Sequence, residues 1–204
     1  MRGLVLCSCG ATGRVPSSVN LLKKMVEYNI FDFVFCFSGV STIDSMVVPA
    51  LSRFVENICV YDMKPWEALE RSFGEDRHAL EASPVFLCFA DMRSKGDSYE
   101  RVTVSRMLAY SSFADSRPWG LDMYCCEHCG GPSQNIRFNA CGRKSYGSKW
   151  LQTKMKYYCR QCKVSKQAIP PPAWVHSCRS DNMYRVWYEW PLTHEQLASI
   201  GVRY

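Results

Sequence analysis

Long hydrophobic runs are missing from this sequence: the longest, such as residues 31–37 with Asp32 inside, fall far short of the roughly 20 apolar residues that a membrane-spanning helix needs. A transmembrane helix is excluded, and no membrane partner is expected. An export signal is missing too. Met1-Arg2-Gly3-Leu4-Val5-Leu6-Cys7 offers one basic residue and an apolar stretch that ends at Cys-Ser-Cys-Gly, too short for a signal-peptide core and cleavage site. It reads as a strand of a cytoplasmic or nuclear protein, not a secreted one. The composition also lacks the extremes of fibres and disordered chains, with 47% hydrophobic and 22% charged residues. A length of 204 residues suits one ordinary domain plus a small appendage, and not three separate cores.

Cysteine is plentiful, 12 of 204 residues, yet below the roughly 8–10% that marks a secreted disulfide scaffold. In a reducing compartment such thiols are core residues, metal ligands or nucleophiles. The net charge of +6 is unevenly placed: residues 121–166 hold nine Lys/Arg against two Asp/Glu, so this segment carries +7 and the rest of the chain −1.

Up to about residue 92, short apolar runs alternate with amphipathic stretches, the pattern of an α/β layer. Candidate strands are 3–7, 31–37, 58–61 and 85–90. Ser17 or Ser18 can cap a helix carrying Val19, Leu22, Met25 and Val26 at helical spacing. Ile43, Val47, Leu51, Phe54 and Val55 repeat that spacing across Pro49, which should kink or open the helix. A third helical stretch, 66–82, is broken at Gly74, and 99–111 reads as a further helix. The expected fold is a Rossmann-like or flavodoxin-like N-terminal layer of parallel strands followed by a small β-rich module. The expected domains are 1–115, a linker at 116–123, a cysteine module at 124–168, and a Pro-rich connector with an aromatic tail at 169–204.

In parallel sheets ligands sit at the carboxyl ends of strands, and the first strand leads into a Gly-rich loop ahead of a helix. Gly10, Thr12, Gly13, Arg14, Ser17 and Ser18 are therefore candidates for holding an anion. The loop resembles, at a distance, the phosphate loop of low-molecular-weight protein tyrosine phosphatases. That family places five residues between its cysteine and arginine, whereas Cys7 to Arg14 leaves six and Cys9 to Arg14 four. A misplaced thiolate loses attack geometry. The loop also lacks the Gly-Lys-Ser/Thr of a Walker motif and the leading Gly-x-Gly of a dinucleotide site. An enzyme acting on a phosphorylated or nucleotide substrate through residues 7–18 is the alternative to a binding protein.

The strongest local signal is Cys126-Glu127-His128-Cys129, followed after 29 residues by Cys159-Arg160-Gln161-Cys162. Each Cys-x-x-Cys can form a tight turn that aims two thiolates at one ion, and two such turns complete a tetrahedral site. Residues 124–166 resemble a zinc ribbon, which implies a structural Zn2+ held by Cys126, Cys129, Cys159 and Cys162. Gly130 and Gly131 favour this assignment, because the residue after the second cysteine commonly needs positive φ. Cys125, His128 and Cys141 remain alternative ligands. Four thiolates leave no open position for water, and neither a His-Glu-x-x-His nor a His-x-Glu signature is present, so zinc-dependent catalysis is not expected.

Residues 135–141 and 149–159 read as strands around a turn at 142–148. Alternation places Leu151, Thr153, Met155 and Tyr157 on one face and Trp150, Gln152, Lys154, Lys156 and Tyr158 on the other. Cations neutralise phosphates, and flat rings stack on unpaired bases. Arg137, Trp150, Lys154, Lys156 and Tyr158, with Arg143 and Lys144 at the turn, are the expected nucleic-acid contacts, for DNA or RNA. The alternative for this surface is a zinc-dependent docking face for a larger protein complex. Beyond it, 169–174 reads as a stiff connector, 183–190 as a strand, and Thr193-His194-Glu195-Gln196 as a capping box opening a last helix.

Overall fold

The computed structural model describes all residues except 8, 9, 40–43, 112–117, 122, 123, 147, 148, 180, 181 and 204. The chain forms two compact units, Met1–Ala109 with Tyr188–Pro191, and Tyr110–Trp187 with Leu192–Tyr204.

The first unit runs β1 (Gly3–Leu6), α1 (Ala11–Arg14), α2 (Pro16–Glu27), β2 (Phe33–Phe37), α3 (Asp44–Cys59), α4 (Pro65–Phe73), α5 (Arg77–Ala82), β3 (Val85–Lys95) and β4 (Ser98–Tyr110). Its centre is β2, a run of Phe-Val-Phe-Cys-Phe buried at every residue. Alternation sends Phe33, Phe35 and Phe37 to one face, where Phe35 meets Phe54 of α3 at 5.0 Å and Phe73 of α4 at 5.7 Å between ring centroids. Cys36 faces the other way, against Gly13 of α1. A strand covered on both faces reads as a continuous apolar run, as this one does. Burial pushes the thiols of Cys36 and Cys88 up to about 12, so both are neutral core residues.

The α/β class stands, but the sheet is mixed, and it does not establish a Rossmann-like or flavodoxin-like layer. β1 and β2 pair in parallel, whereas β2–β3 and β3–β4 are antiparallel. The expected helix at 99–111 is instead β4. Lys95 pairs with Ser98 across a Gly96–Asp97 loop whose glycine has φ 61°, so β3 turns back directly on itself. The β-branched Val102, Thr103 and Val104 continue the returning strand. The expected strand at 58–61 is also absent. Val47, Ala50, Phe54 and Ile58 form one buried helical stripe that carries α3 through Cys59, leaving Val60 and Tyr61 exposed. Pro49 lies within this helix. Gly74 ends α4, as its place between Phe73 and the α5 cap Asp76 requires. α2 starts at Pro16 with Val15 as N-cap, so Ser17 and Ser18 lie in its first turn and do not cap it.

The start of β1 is tied to the turn before β2. The Arg2 amide donates to Asp32 Oδ2 at 2.6 Å, and the Arg2 guanidinium to Asp32 Oδ1 at 3.3 Å. The backbone hydrogen bond from Arg2 lowers the Asp32 pKa, burial opposes it, and the Arg2 side chain adds to the lowering. A depressed folded pKa contributes stability above the unfolded value of about 3.9, which is lost as pH falls through the folded value. Asp32→Asn should therefore lower stability at neutral pH by about 1 kcal/mol or less and flatten the acid limb of a urea-denaturation series below about pH 4. An unchanged acid limb would remove Asp32 as its source.

The second unit contains short 3-10 turns at Pro118–Gly120 and Ser133–Asn135, β5 (Cys125–Cys126), β6 (Ile136–Tyr146), β7 (Lys149–Cys159), β8 (Ser165–Ile169), β9 (His176–Arg179), most of β10 (Asn182–Glu189), α6 (His194–Ser199) and β11 (Val202–Arg203). The larger sheet has strand order β1-β2-β3-β4-β10-β9; the other sheets are the three-stranded β6-β7-β8 and the β5–β11 pair. β6 extends through the stretch expected as a turn, passing Gly142 at φ 75°. Ile136, Phe138, Met155, Tyr157, Cys159 and Ile169 fill the inner face of the small sheet. The capping box is formed: the Gln196 amide donates to Thr193 Oγ1, and the Thr193 amide to Gln196 Oε1. No helix among the described residues is long and apolar enough to cross a membrane.

Candidate metal centre

Two turns built on one plan bring the four cysteines together. In the first, the Gly130 amide donates to the Cys126 carbonyl and the Cys126 amide to the Gly131 carbonyl, both at 2.8 Å. In the second, the Lys163 amide donates to the Cys159 carbonyl at 2.9 Å and the Cys159 amide to the Val164 carbonyl at 3.0 Å. The residue after each second cysteine is left-handed, with φ 69° at Gly130 and 64° at Lys163. Lysine tolerates this geometry at one turn. At the other, glycine takes the left-handed φ without strain, and a Cβ there would displace the end of the Arg203 side chain.

Cys126 Sγ lies 3.8 Å from Cys162 Sγ, and Cys129 Sγ 3.8 Å from Cys159 Sγ. All four sulfurs lie within 4.8 Å of one another. An ion with metal–sulfur bonds of about 2.3 Å places tetrahedral corners about 3.8 Å apart, so the four could hold a metal ion. Cys126 and Cys159 are fully buried, while Cys129 and Cys162 are half-buried. Among the described residues the cluster contains these four; Cys125, His128 and Cys141 are not part of it. Four sulfur donors fill a tetrahedron and leave no place for water or substrate, which suits a structural ion.

The environment separates Cys126 from Cys162. Burial opposes a charge on Cys126, but the Tyr157 hydroxyl and the turn amides outweigh it and lower that thiol to about 6. At Cys162 the Val164 amide favours the thiolate, yet desolvation and the three neighbouring sulfurs push it up to about 12. Like charges this close cannot all ionise without a cation, so metal binding at neutral pH must release protons.

Two further parts of the site carry no recognisable motif. Tyr157 of β7, itself buried, donates its hydroxyl to Cys126 Sγ at 2.7 Å. The C-terminal segment closes over the first turn. Val202 pairs with Cys126 and Arg203 with Cys125, the Glu127 amide donates to the Gly201 carbonyl at 3.1 Å, and His194 Nε2 lies 3.1 Å from Glu127 Oε1. Alternation alone identifies Tyr157 as inward-facing; contact with a particular sulfur depends on strand register.

On the opposite face of the small sheet, Arg137 pairs with Tyr158, Asn139 with Lys156 and Cys141 with Lys154. Arg137, Asn139, Lys154 and Lys156 are exposed, and Tyr158 is half-buried. Arg143 pairs with Gln152, Lys144 with Leu151 and Ser145 with Trp150 along the backbone. The side chains of Arg143, Lys144 and Trp150 lie outside the described ones.

The Gly-rich loop is drawn into packing. A Cβ at Gly10 would overlap the Gly39 carbonyl, and one at Gly13 the Ser38 hydroxyl. Arg14 Nε donates to the Gly10 carbonyl at 2.9 Å, and Trp190 Nε1 to the Gly13 carbonyl at 3.0 Å. Thr12 and Ser18 are half-buried and Ser17 is exposed. Close approach to the end of β2 accounts for both glycines.

Fold and site together define a mixed α/β, β-rich protein with a possible four-cysteine metal site. Set against known protein families, curated proteins and solved structures, the chain finds no match in any of the three.

Proposed function

We propose that this is a zinc- and nucleic-acid-binding protein of regulatory or accessory role, in which a structural Zn2+ on Cys126, Cys129, Cys159 and Cys162 supports a basic, partly aromatic sheet face that contacts phosphates. Two turns of equal geometry joined to a three-stranded sheet support the zinc-ribbon reading of residues 124–166. Soft thiolates in a closed tetrahedral set suit zinc, and metal analysis of the purified protein checks its identity.

The observation that carries the nucleic-acid reading is the run of cross-strand pairs Arg137–Tyr158, Asn139–Lys156 and Cys141–Lys154, which lines up three exposed cations with an amide and a ring. Binding through these cations releases counterions. Three phosphate contacts give log affinity against log salt a slope of about −2 on a single strand, or about −2.7 on a duplex. Zinc-loaded protein titrated against labelled single-stranded and duplex DNA and RNA should lose about 16-fold in single-strand affinity between about 50 and 200 mM salt. Flat or absent binding to every probe would sink this function and leave zinc as a folding element.

A further inference from the structure

We infer that Tyr157 is a positioning residue of the metal centre: its hydroxyl fixes the Cys126 sulfur and disperses the negative charge of a four-thiolate site. The inference rests on the reading of the cluster as a metal site. Its ground is the 2.7 Å hydrogen bond from the Tyr157 hydroxyl to Cys126 Sγ, between a ring 1% exposed and a cysteine 0% exposed.

The ring is held from several sides. Tyr157 pairs with Phe138 on β6 and Lys166 on β8, and its ring packs edge-on against Phe138 at 5.4 Å. Gly201, at φ 88°, lies so close that a Cβ there would stand 3.3 Å from the tyrosine ring. That same glycine accepts the Glu127 amide, in the turn that carries Cys126 and Cys129. The phenol therefore cannot swing away without disturbing the site it serves.

Four thiolates around a dication carry a net charge of about −2. Cys129 and Cys162 are partly exposed and can receive hydrogen bonds from water, and Cys129 Sγ accepts the Gly131 amide at 3.4 Å. Cys126 is closed to solvent. An O–H dipole aimed at its sulfur withdraws charge from one of the two fully buried ligands, Cys126 and Cys159, and fixes the direction of its lone pairs.

The test uses full-length Tyr157→Phe, which keeps the ring and removes the donor. Zinc affinity measured by chelator competition should fall about 10- to 100-fold. In the cobalt-substituted protein the sulfur-to-metal charge-transfer band should move to lower energy, because a thiolate without its hydrogen bond gives up charge more easily. Phe138→Leu, which loosens the same core without touching a sulfur, should lower the melting temperature and leave the band in place. Equal affinity and an unmoved band in Tyr157→Phe would overturn the inference. Failure of the wild-type protein to take up zinc or cobalt would instead overturn the metal reading beneath it. Should Tyr157→Phe not fold, the wild-type protein loaded with spin-active cadmium decides the matter: a tyrosine hydroxyl proton coupled to the metal supports the inference, and its absence overturns it.

Discussion

Cys159→Ser is expected to abolish metal binding and unfold the second unit in the full-length protein, while the β2 core of the first unit stays folded. Cys159 is fully buried and sits where the β7 strand becomes the second turn, so it is both a candidate ligand and a core residue. Structural zinc contributes apparent free energies of about 10–16 kcal/mol in small modules, against a total stability of about 5–15 kcal/mol for an ordinary domain. Among the described residues, the inner face of the small sheet holds a few large side chains, including Ile136, Phe138, Met155 and Tyr157. A core of this size needs a staple. Hydrogen exchange gives the reading: amides of Phe138 and Tyr157 should lose protection in the variant or under excess chelator, while Val34, Phe35 and Leu87 keep theirs. Metal-free protein that still protects Tyr157 would show that the sheet stands without the ion.

The second large effect is expected on the outer face. Lys154→Glu with Lys156→Glu should weaken oligonucleotide binding on the order of 100-fold at physiological salt. Each lysine within about 4 Å of a phosphate gains about 1 kcal/mol in water, and reversing its sign doubles the change. A Debye length of about 8 Å reduces each contribution to roughly 1.2 kcal/mol, so two reversals approach two powers of ten. The salt slope should flatten by about 1.4 on a single strand, because two counterion-releasing contacts are gone. Both lysines are exposed and project away from the buried face, so metal content and melting temperature should not follow. An unchanged slope with unchanged affinity would move the contact surface elsewhere.

The parts of this structure that were legible in sequence are those whose signal is local. Thr193 and Gln196 are three residues apart and satisfy one another's backbone groups, so the last helix announces itself. The Cys-x-x-Cys turns do the same, and Val19, Leu22 and Val26 lie on the buried side of α2 as their spacing implies. Residues 58–61 misled because Ile, Cys, Val and Tyr favour strands, yet Ile58 lies one turn beyond Phe54 on a stripe already committed to burial. Residues 99–111 misled because their direction is decided by two residues outside them, Gly96 and Asp97. The Tyr157–Cys126 bond joins positions 31 apart, and only the register that sets Phe138 opposite Tyr157 aims one at the other.

The pairing of β11 with β5 also has a consequence for the order of events during synthesis. Chains emerge from the ribosome N-terminus first, at about 5–20 residues per second. All four cysteines have been synthesised by residue 162, but the strand that pairs with Cys126 and the carbonyl that receives the Glu127 amide come from residues 201–203. Until those residues emerge, the first turn has two sulfurs and no lid. An ion captured early would sit in a half-closed cup, exchangeable with its surroundings, and closure by the tail would be the act that commits it. The nascent protein would thus have a short window in which a captured ion can still leave, and the arrival of residues 201–203 shuts that window.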